Sequence, residues 1–399
     1  MIRRAWWWVG GGAILLALLG LATYLLRDTV VETPPLSAQP ASVIQRSRTQ
    51  PEVHFAESVP QAAMSLEAGA ITNAADVYRQ AFALFDALSA ADKETVANWQ
   101  SNVTAAVAAE LCEKIRPIGD LMQAATQVTN CDWGLVKPLR PNTPFVHLAK
   151  ARALARLGVW RAQYCQAGGG AAEDIAAVLR LGQQVDDCML IGSLVDVAIE
   201  NLALSCVASN LSAYVGNDWF LDLLGESFAG ESASRAIQME ADFAEQVARD
   251  IAAKSPEQIT EYLTAHELTG PVDWTVFQAE MKTLVAIQRE LAGVLATGDA
   301  EQFEDWLRRY NSLNFTTPLT RELMAGYDKY FQKIQTAVVN HAMVTAALAV
   351  VTHGVVALQR YPDPSTEQPF TYQKIHGGFE LQSAYNVNDK PLKIFFPIP

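Results

Sequence analysis

The chain runs to 399 residues with a formal charge of −13, from 43 acidic and 30 basic side chains. An acidic balance of that size repels phosphate backbones and anionic headgroups, so nucleic acid is excluded as a partner class. Half the residues are hydrophobic, enough apolar surface for one large or two ordinary domains with real cores.

Residues 5–26 carry no charge, follow Arg3 and Arg4, and precede a stretch holding Pro34, Pro35 and Pro40. A run of that length predicts a single membrane-spanning helix, and the arginines place its N-terminus in the cytoplasm. The expected location is a bacterial inner membrane, with the remainder periplasmic or otherwise extracytoplasmic and the bilayer held through residues 5–26. Trp6, Trp7 and Trp8 suit the lipid–water interface. A cleavable secretory signal is the competing reading; Gly20 and Ala22 would serve its cleavage site, but Tyr24, Leu25 and Leu26 carry the apolar run past them. Residues 28–58, with Pro51 among Ser, Gln, Thr and Arg, read as an extended linker.

From residue 59 a helical period dominates, and the fold class read from it is mainly α. Asn73 is the expected N-cap of a helix over residues 74–88, where Val77, Ala81, Leu84 and Leu88 recur at helical spacing, and Ser89 caps the next over 90–100. A further helix over 102–116 is expected to break at Pro117-Ile118-Gly119 and resume to 127. After a Pro-rich stretch, helices follow over 145–166, 171–184 and 189–211, with Gly168-Gly169-Gly170 as a turn. Others follow over 232–253, 256–263, 274–296 and 300–310, and a last long one over 318–360. Short connections predict antiparallel, hairpin-like neighbours, without the consensus of a named repeat. Residues 337–358 are apolar, yet Asn340, His341, Thr345, Thr352 and His353 make them a buried core helix rather than a second span. The domains read as 1–27 anchor, 28–58 linker, 59–360 helical ectodomain with a sub-boundary near 212–230, and 361–399 tail. In the tail Phe370 and Tyr372, Phe379, Leu381 and Ser383, and Leu392, Ile394 and Phe396 alternate with polar residues. His376-Gly377-Gly378 and Asn388-Asp389-Lys390 supply turns, which predicts a small antiparallel meander of three strands.

Chemistry is harder to find. Of the five cysteines, most read as small buried hydrophobes; if one pair is bridged, Cys112 and Cys131 are the expectation, with Pro117 and Gly119 breaking the helix between them. No metal-ligand spacing is present: His341 and His353 stand twelve residues apart on one helix, too far to share an ion. No nucleophile elbow, phosphate loop or dinucleotide fingerprint occurs, and no cofactor is implied. The acidic pairs Glu173-Asp174, Asp186-Asp187 and Glu304-Asp305 read as solvated faces. Between Trp133 and Ala172 all charged residues are basic, and Lys150, Arg152, Arg156 and Arg161 form a candidate interaction patch, whereas residues 217–310 are strongly acidic. These regions either face each other or decorate separate surfaces.

Leu148-Ala149, Leu154-Ala155-Arg156-Leu157, Asp174, Leu179 and Leu190-Ile191-Gly192-Ser193-Leu194-Val195, with Cys131-Asp132-Trp133 before them, resemble uncharacterised bacterial membrane-anchored helical proteins. The tail from Asp363-Pro364 through Gly377-Gly378-Phe379-Glu380-Leu381-Gln382-Ser383 is similar to the endings of those proteins and to the C-terminal sheet of secretion pseudopilins. The first resemblance implies no activity; the second lacks the pseudopilin processing motif and calcium loop, and assembly into a pilus is not carried over. The reading for function is a membrane-tethered interaction or scaffold protein with protein partners. The alternatives are an envelope enzyme whose site is assembled from distant residues, and a secretion-system accessory.

Overall fold

A computed structural model describes residues 71–398 apart from 102, 136–144, 166–169, 186–188, 226–228, 256, 260, 262–272, 298–299, 318–319 and 322–326. The expected anchor and linker therefore lie outside the described residues. What is described is mostly helical, with a small antiparallel sheet at the C-terminus.

The first helices start where their caps are. In α1 (Ala74–Ala87) the Asn73 side chain accepts from the Ala75 N–H, and in α2 (Ala90–Ala97) the Ser89 hydroxyl accepts from the Asp92 N–H. Each satisfies a donor that the first turn leaves unbonded. The expected break at Pro117 is absent: α3 (Ala105–Thr126) runs straight through it, capped by Thr104. Proline removes one N–H and crowds the preceding turn, but Ile115, Ile118, Gly119 and Met122 on the same face are buried. Packing on both sides of Pro117 outweighs the lost bond.

The chain continues through α4 (Val146–Tyr164), α5 (Ala171–Val185) and α6 (Leu190–Ser209), each packed on the next, then a 3-10 turn (Leu211–Ala213) and α7 (Asp218–Gly225). The short α7 was not expected; eight residues give too little periodicity to read. The second half holds α8 (Ala229–Ala252), α9 (Trp274–Thr297), α10 (Ala300–Asn311) and α11 (Tyr327–His353). The expected helix to residue 360 stops at His353, because Gly354 takes a φ of 85° and the chain tightens into a 3-10 turn over Val355–Gln359. A positive φ suits glycine and cannot continue a right-handed helix.

Strands β1 (Thr371–Ile375), β2 (Gly378–Val387) and β3 (Lys390–Pro397) form the expected meander in the order β1-β2-β3. Phe379 lies opposite both Lys374 and Phe396, and Phe379, Leu381 and Phe396 turn inward. Asn388 and Asp389 both take left-handed backbone between β2 and β3, the conformation that favours Asn and Asp in tight hairpins. The sheet packs through β2 against α11 and through β3 against α6.

Among the described residues three apolar clusters hold the body. The largest joins α1 to α7 with the second half of α11 and the sheet. A second joins the starts of α6 and α8 to the end of α9, α10 and the first half of α11. A third lies between the far halves of α8 and α9, with Phe315 against it. The end of α8 thus meets the start of α9, so that pair is antiparallel. Among the described residues two helices are long and apolar enough to cross a membrane, Leu190–Ser209 and Lys329–His353, but 61% and 67% of their apolar stretches is buried within the body. They are core helices, as expected for residues 337–358.

Candidate functional site

The basic run on α4 is not a uniform patch. Lys150 pairs with Asp86 at 2.6 Å and lies over the Phe82 ring. Arg152 and Arg156 are half-buried. Arg161 corrects the expectation outright: its side chain is 13% exposed and sits between α3 and α5. Its Nε donates to Asp174 at 3.1 Å, and its Nη1 donates to the Arg116 carbonyl at 3.0 Å and lies 3.8 Å from Asp120. The passage is open because residue 119 is glycine; a Cβ there would come 1.7 Å from Arg161 Nη1. Asp174, expected on a solvated face, is buried and also accepts from Gln123 Nε2 at 2.9 Å. Burial pushes its carboxyl up to about 6, against the pull of Arg161. A guanidinium so enclosed ties helices together and is not offered to a partner.

The disulfide is also corrected. Cys112 bonds Cys165, with Cα atoms 5.6 Å apart, and not Cys131. Cys112 faces the end of α4, which Cys165 terminates, and because α3 does not break at Pro117 the chain does not turn back to bring Cys131 to it. Cys131 belongs instead to a loop strapped to the start of α1. There Asn73 accepts from the Asp132 N–H at 2.8 Å and donates to the Asp132 carbonyl at 2.9 Å. In the same loop the Trp133 indole donates to the Gln184 carbonyl at 2.8 Å and stacks on His147. Gln184 in turn accepts from the Tyr78 hydroxyl at 2.7 Å. The Cys131-Asp132-Trp133 triplet is therefore a strap between α1 and α5.

The most concentrated polar chemistry lies where α6 crosses α11. Ser193 Oγ and Tyr330 OH stand 2.9 Å apart. Further along, His341 Nδ1 bonds Glu200 while its Nε2 lies 2.6 Å from the Leu224 carbonyl at the end of α7. Thr345 Oγ1 is 2.9 Å from that same carbonyl. Glu200 and His341 are 4% and 3% exposed, so neither exchanges readily with solvent. Burial alone would lower the His341 pKa, but the bond and charge of Glu200, with the Leu224 carbonyl, hold it above the usual histidine range. The second carboxylate oxygen of Glu200 has no protein partner among the described residues.

A neighbouring cluster closes the other end of α6. Glu240 of α8 accepts from the Leu190 N–H at 3.2 Å, meeting the positive end of a helix. Its carboxyl is enclosed by protein, though the residue as a whole keeps some exposed surface, and burial pushes it up to about 7. Nearby the Gln288 amide donates to Tyr327 OH at 2.7 Å, and burial raises that phenol well above its usual range. On the outer face of α10, Asp305, Arg308, Arg309 and Ser312 line an open recess of about 330 Å³. Glu304 and Asp305 are exposed there, as expected.

Sequence reasoning missed Glu200, Glu240 and Asp174 as interior groups. A signal existed for the first: Asp196 and Glu200 are the only charged residues in the apolar run of α6, and an isolated acid there demands a partner. No local signal distinguishes Glu240 from the many other acids between residues 217 and 310. Among the described residues no three His, Cys, Asp or Glu side chains group as metal ligands. Set against protein-family models, curated proteins and solved structures, the chain matches none, so function is argued from its own geometry.

Proposed function

We infer that the protein is a membrane-tethered scaffold of a bacterial envelope, its helical-hairpin body held outside the cytoplasm on the linker of residues 28–58 and binding other proteins through helical surfaces. The span is residues 5–26, with the N-terminus cytoplasmic. The observation that carries the location is the Cys112–Cys165 bridge: disulfides persist in exported compartments and are rare where thiols are kept reduced. It agrees with the apolar N-terminal run without depending on it.

Support for a scaffold comes from how the reactive side chains are used. Asp174, Glu200, Glu240 and His341 each bond to a neighbouring helix, and these contacts fix helix packing. The outward faces of α8 and α9 carry ion pairs such as Arg289 with Asp242 and Glu245. Crosslinking in intact cells, followed by identification of the proteins bound to this chain, tests the reading. Discrete envelope proteins joined to surface positions of the body are expected. Hydrolytic turnover by the purified chain, with no crosslinked partner, overturns it in favour of an enzyme with a site assembled from distant residues.

A further inference from the structure

The chain passes from its first group of helices to its second through α7, and the C-terminal end of α7 is held by two side chains of α11. His341 Nε2 and Thr345 Oγ1 both converge on the Leu224 carbonyl, at 2.6 and 2.9 Å. The Thr345 hydroxyl is also 2.9 Å from the His341 carbonyl, and its single proton is divided between the two. The imidazole is therefore the fuller of the two donors to the Leu224 carbonyl.

That imidazole faces an oxygen at each nitrogen, a Glu200 carboxylate oxygen at Nδ1 and a carbonyl at Nε2. A carbonyl can only accept. With one shared proton both contacts are hydrogen bonds, whether as an imidazolium beside an ionised Glu200 or as a neutral imidazole beside a protonated one. In either state the dyad holds one proton more than a neutral histidine beside a carboxylate, and that proton belongs to the pair. Once it leaves, one N–H remains for two acceptors; the carboxylate takes it, and the Leu224 carbonyl keeps only its share of the Thr345 hydroxyl.

We propose that the Glu200–His341 pair is a proton-dependent latch, closed on the C-terminal carbonyl of α7 while it holds its extra proton and released when that proton is lost as pH rises. Other titratable groups stand on the elements packed around the pair. On α6, Asp196 leans toward Gly182 of α5. On α7, Asp218 and Asp222 are exposed. On α8, Glu240 acts on Tyr327, well before His341 along α11, and Arg235 is exposed. Glu380 of β2 pairs with Lys393 of β3, and Lys333 of α11 itself lies two turns from His341. The helix-end dipole of α7 adds to the preference for an imidazolium.

Hydrogen exchange of the full chain in detergent micelles, followed by mass spectrometry from pH 6 to pH 10 and corrected for intrinsic rates, tests the latch. Residues 218–225 are expected to lose about tenfold or more of their protection as the dyad deprotonates, the change that one pKa unit of linkage gives, while the middle of α9 keeps its own. Glu200→Gln, whose side-chain amide can donate to Nδ1 and leave the Nε2–H for the Leu224 carbonyl, is expected to keep the protection of residues 218–225 across the whole range. Protection over 218–225 that is unchanged across the range, or that changes only in step with α9, overturns the proposal. So does a midpoint that Glu200→Gln leaves in place. The wild-type chain alone decides the first two outcomes, so a variant that fails to fold does not shelter the idea.

Discussion

Asp363 does for the tail what a cap does for a helix. Its two carboxylate oxygens accept from the Ser365 N–H and hydroxyl on one side and from the Ser383 hydroxyl and Ala384 N–H on the other. This explains a motif that the sequence displayed without its reason. Asp363→Ala leaves those donors without an acceptor and is expected to cost about 1–3 kcal/mol in urea unfolding. Burial alone would raise the Asp363 pKa, but these bonds outweigh it and lower it. Its contribution is present above the unfolded carboxylate value, near 3.9, and is lost as pH falls through the lower folded one. Glu280 follows the same rule: bonds from Thr317 and Thr316 outweigh burial and bring it down to about 2. Replacing Glu280 with Gln is expected to weaken the segment before α11 at neutral pH, with the difference from wild type closing below about pH 3.

At the scale of elements, α3 depends on an absent side chain. Gly119→Ala drives a methyl into Arg161 Nη1, so either the guanidinium leaves Asp174 or the helices part. A loss of about 1–3 kcal/mol is expected, and Arg161→Met with Asp174→Leu should restore most of it by replacing a buried pair with apolar packing. Serine at Cys112 and Cys165 removes a bridge closing 53 residues, with an expected loss of about 2–4 kcal/mol on thermal unfolding. Helix starts at Asn73 and Ser89 were legible because a cap bonds within three residues of itself. The meander was legible because its period of two and its turn residues are local. Arg161 was not, since Asp174 lies 13 residues away and Gln123 more distant still. Nor was the fate of Pro117, because the packing that carries α3 past it comes from α4 and α5.

The whole molecule carries opposed groups of acids. Asp174 and Glu240 are raised by burial to about 6 and about 7, so between the unfolded carboxylate range and those values the folded chain binds more protons than the unfolded one. Stability therefore falls as pH rises through that window. His341, also raised, adds stability that is lost as pH climbs through its folded value. Asp363 and Glu280 act oppositely, at low pH. Calorimetry is expected to find the highest Tm in mildly acid solution, and Glu240→Gln should flatten the decline toward pH 7. On the exterior, Glu at Arg152 and Arg156 tests what remains of the basic face: loss of a crosslinked partner with Tm unchanged assigns that face to binding.

The body is closed from its far end. Residues 339–350 of α11 lie in the same cluster as α1 to α7, while the beginning of α11 belongs to another. A nascent chain emerging N-terminus first cannot seal the interior of its opening helices until nearly all of it has arrived. A truncation before α11 would therefore leave even the earliest segments open to chaperones and proteases, and late synthesis governs the fate of early sequence.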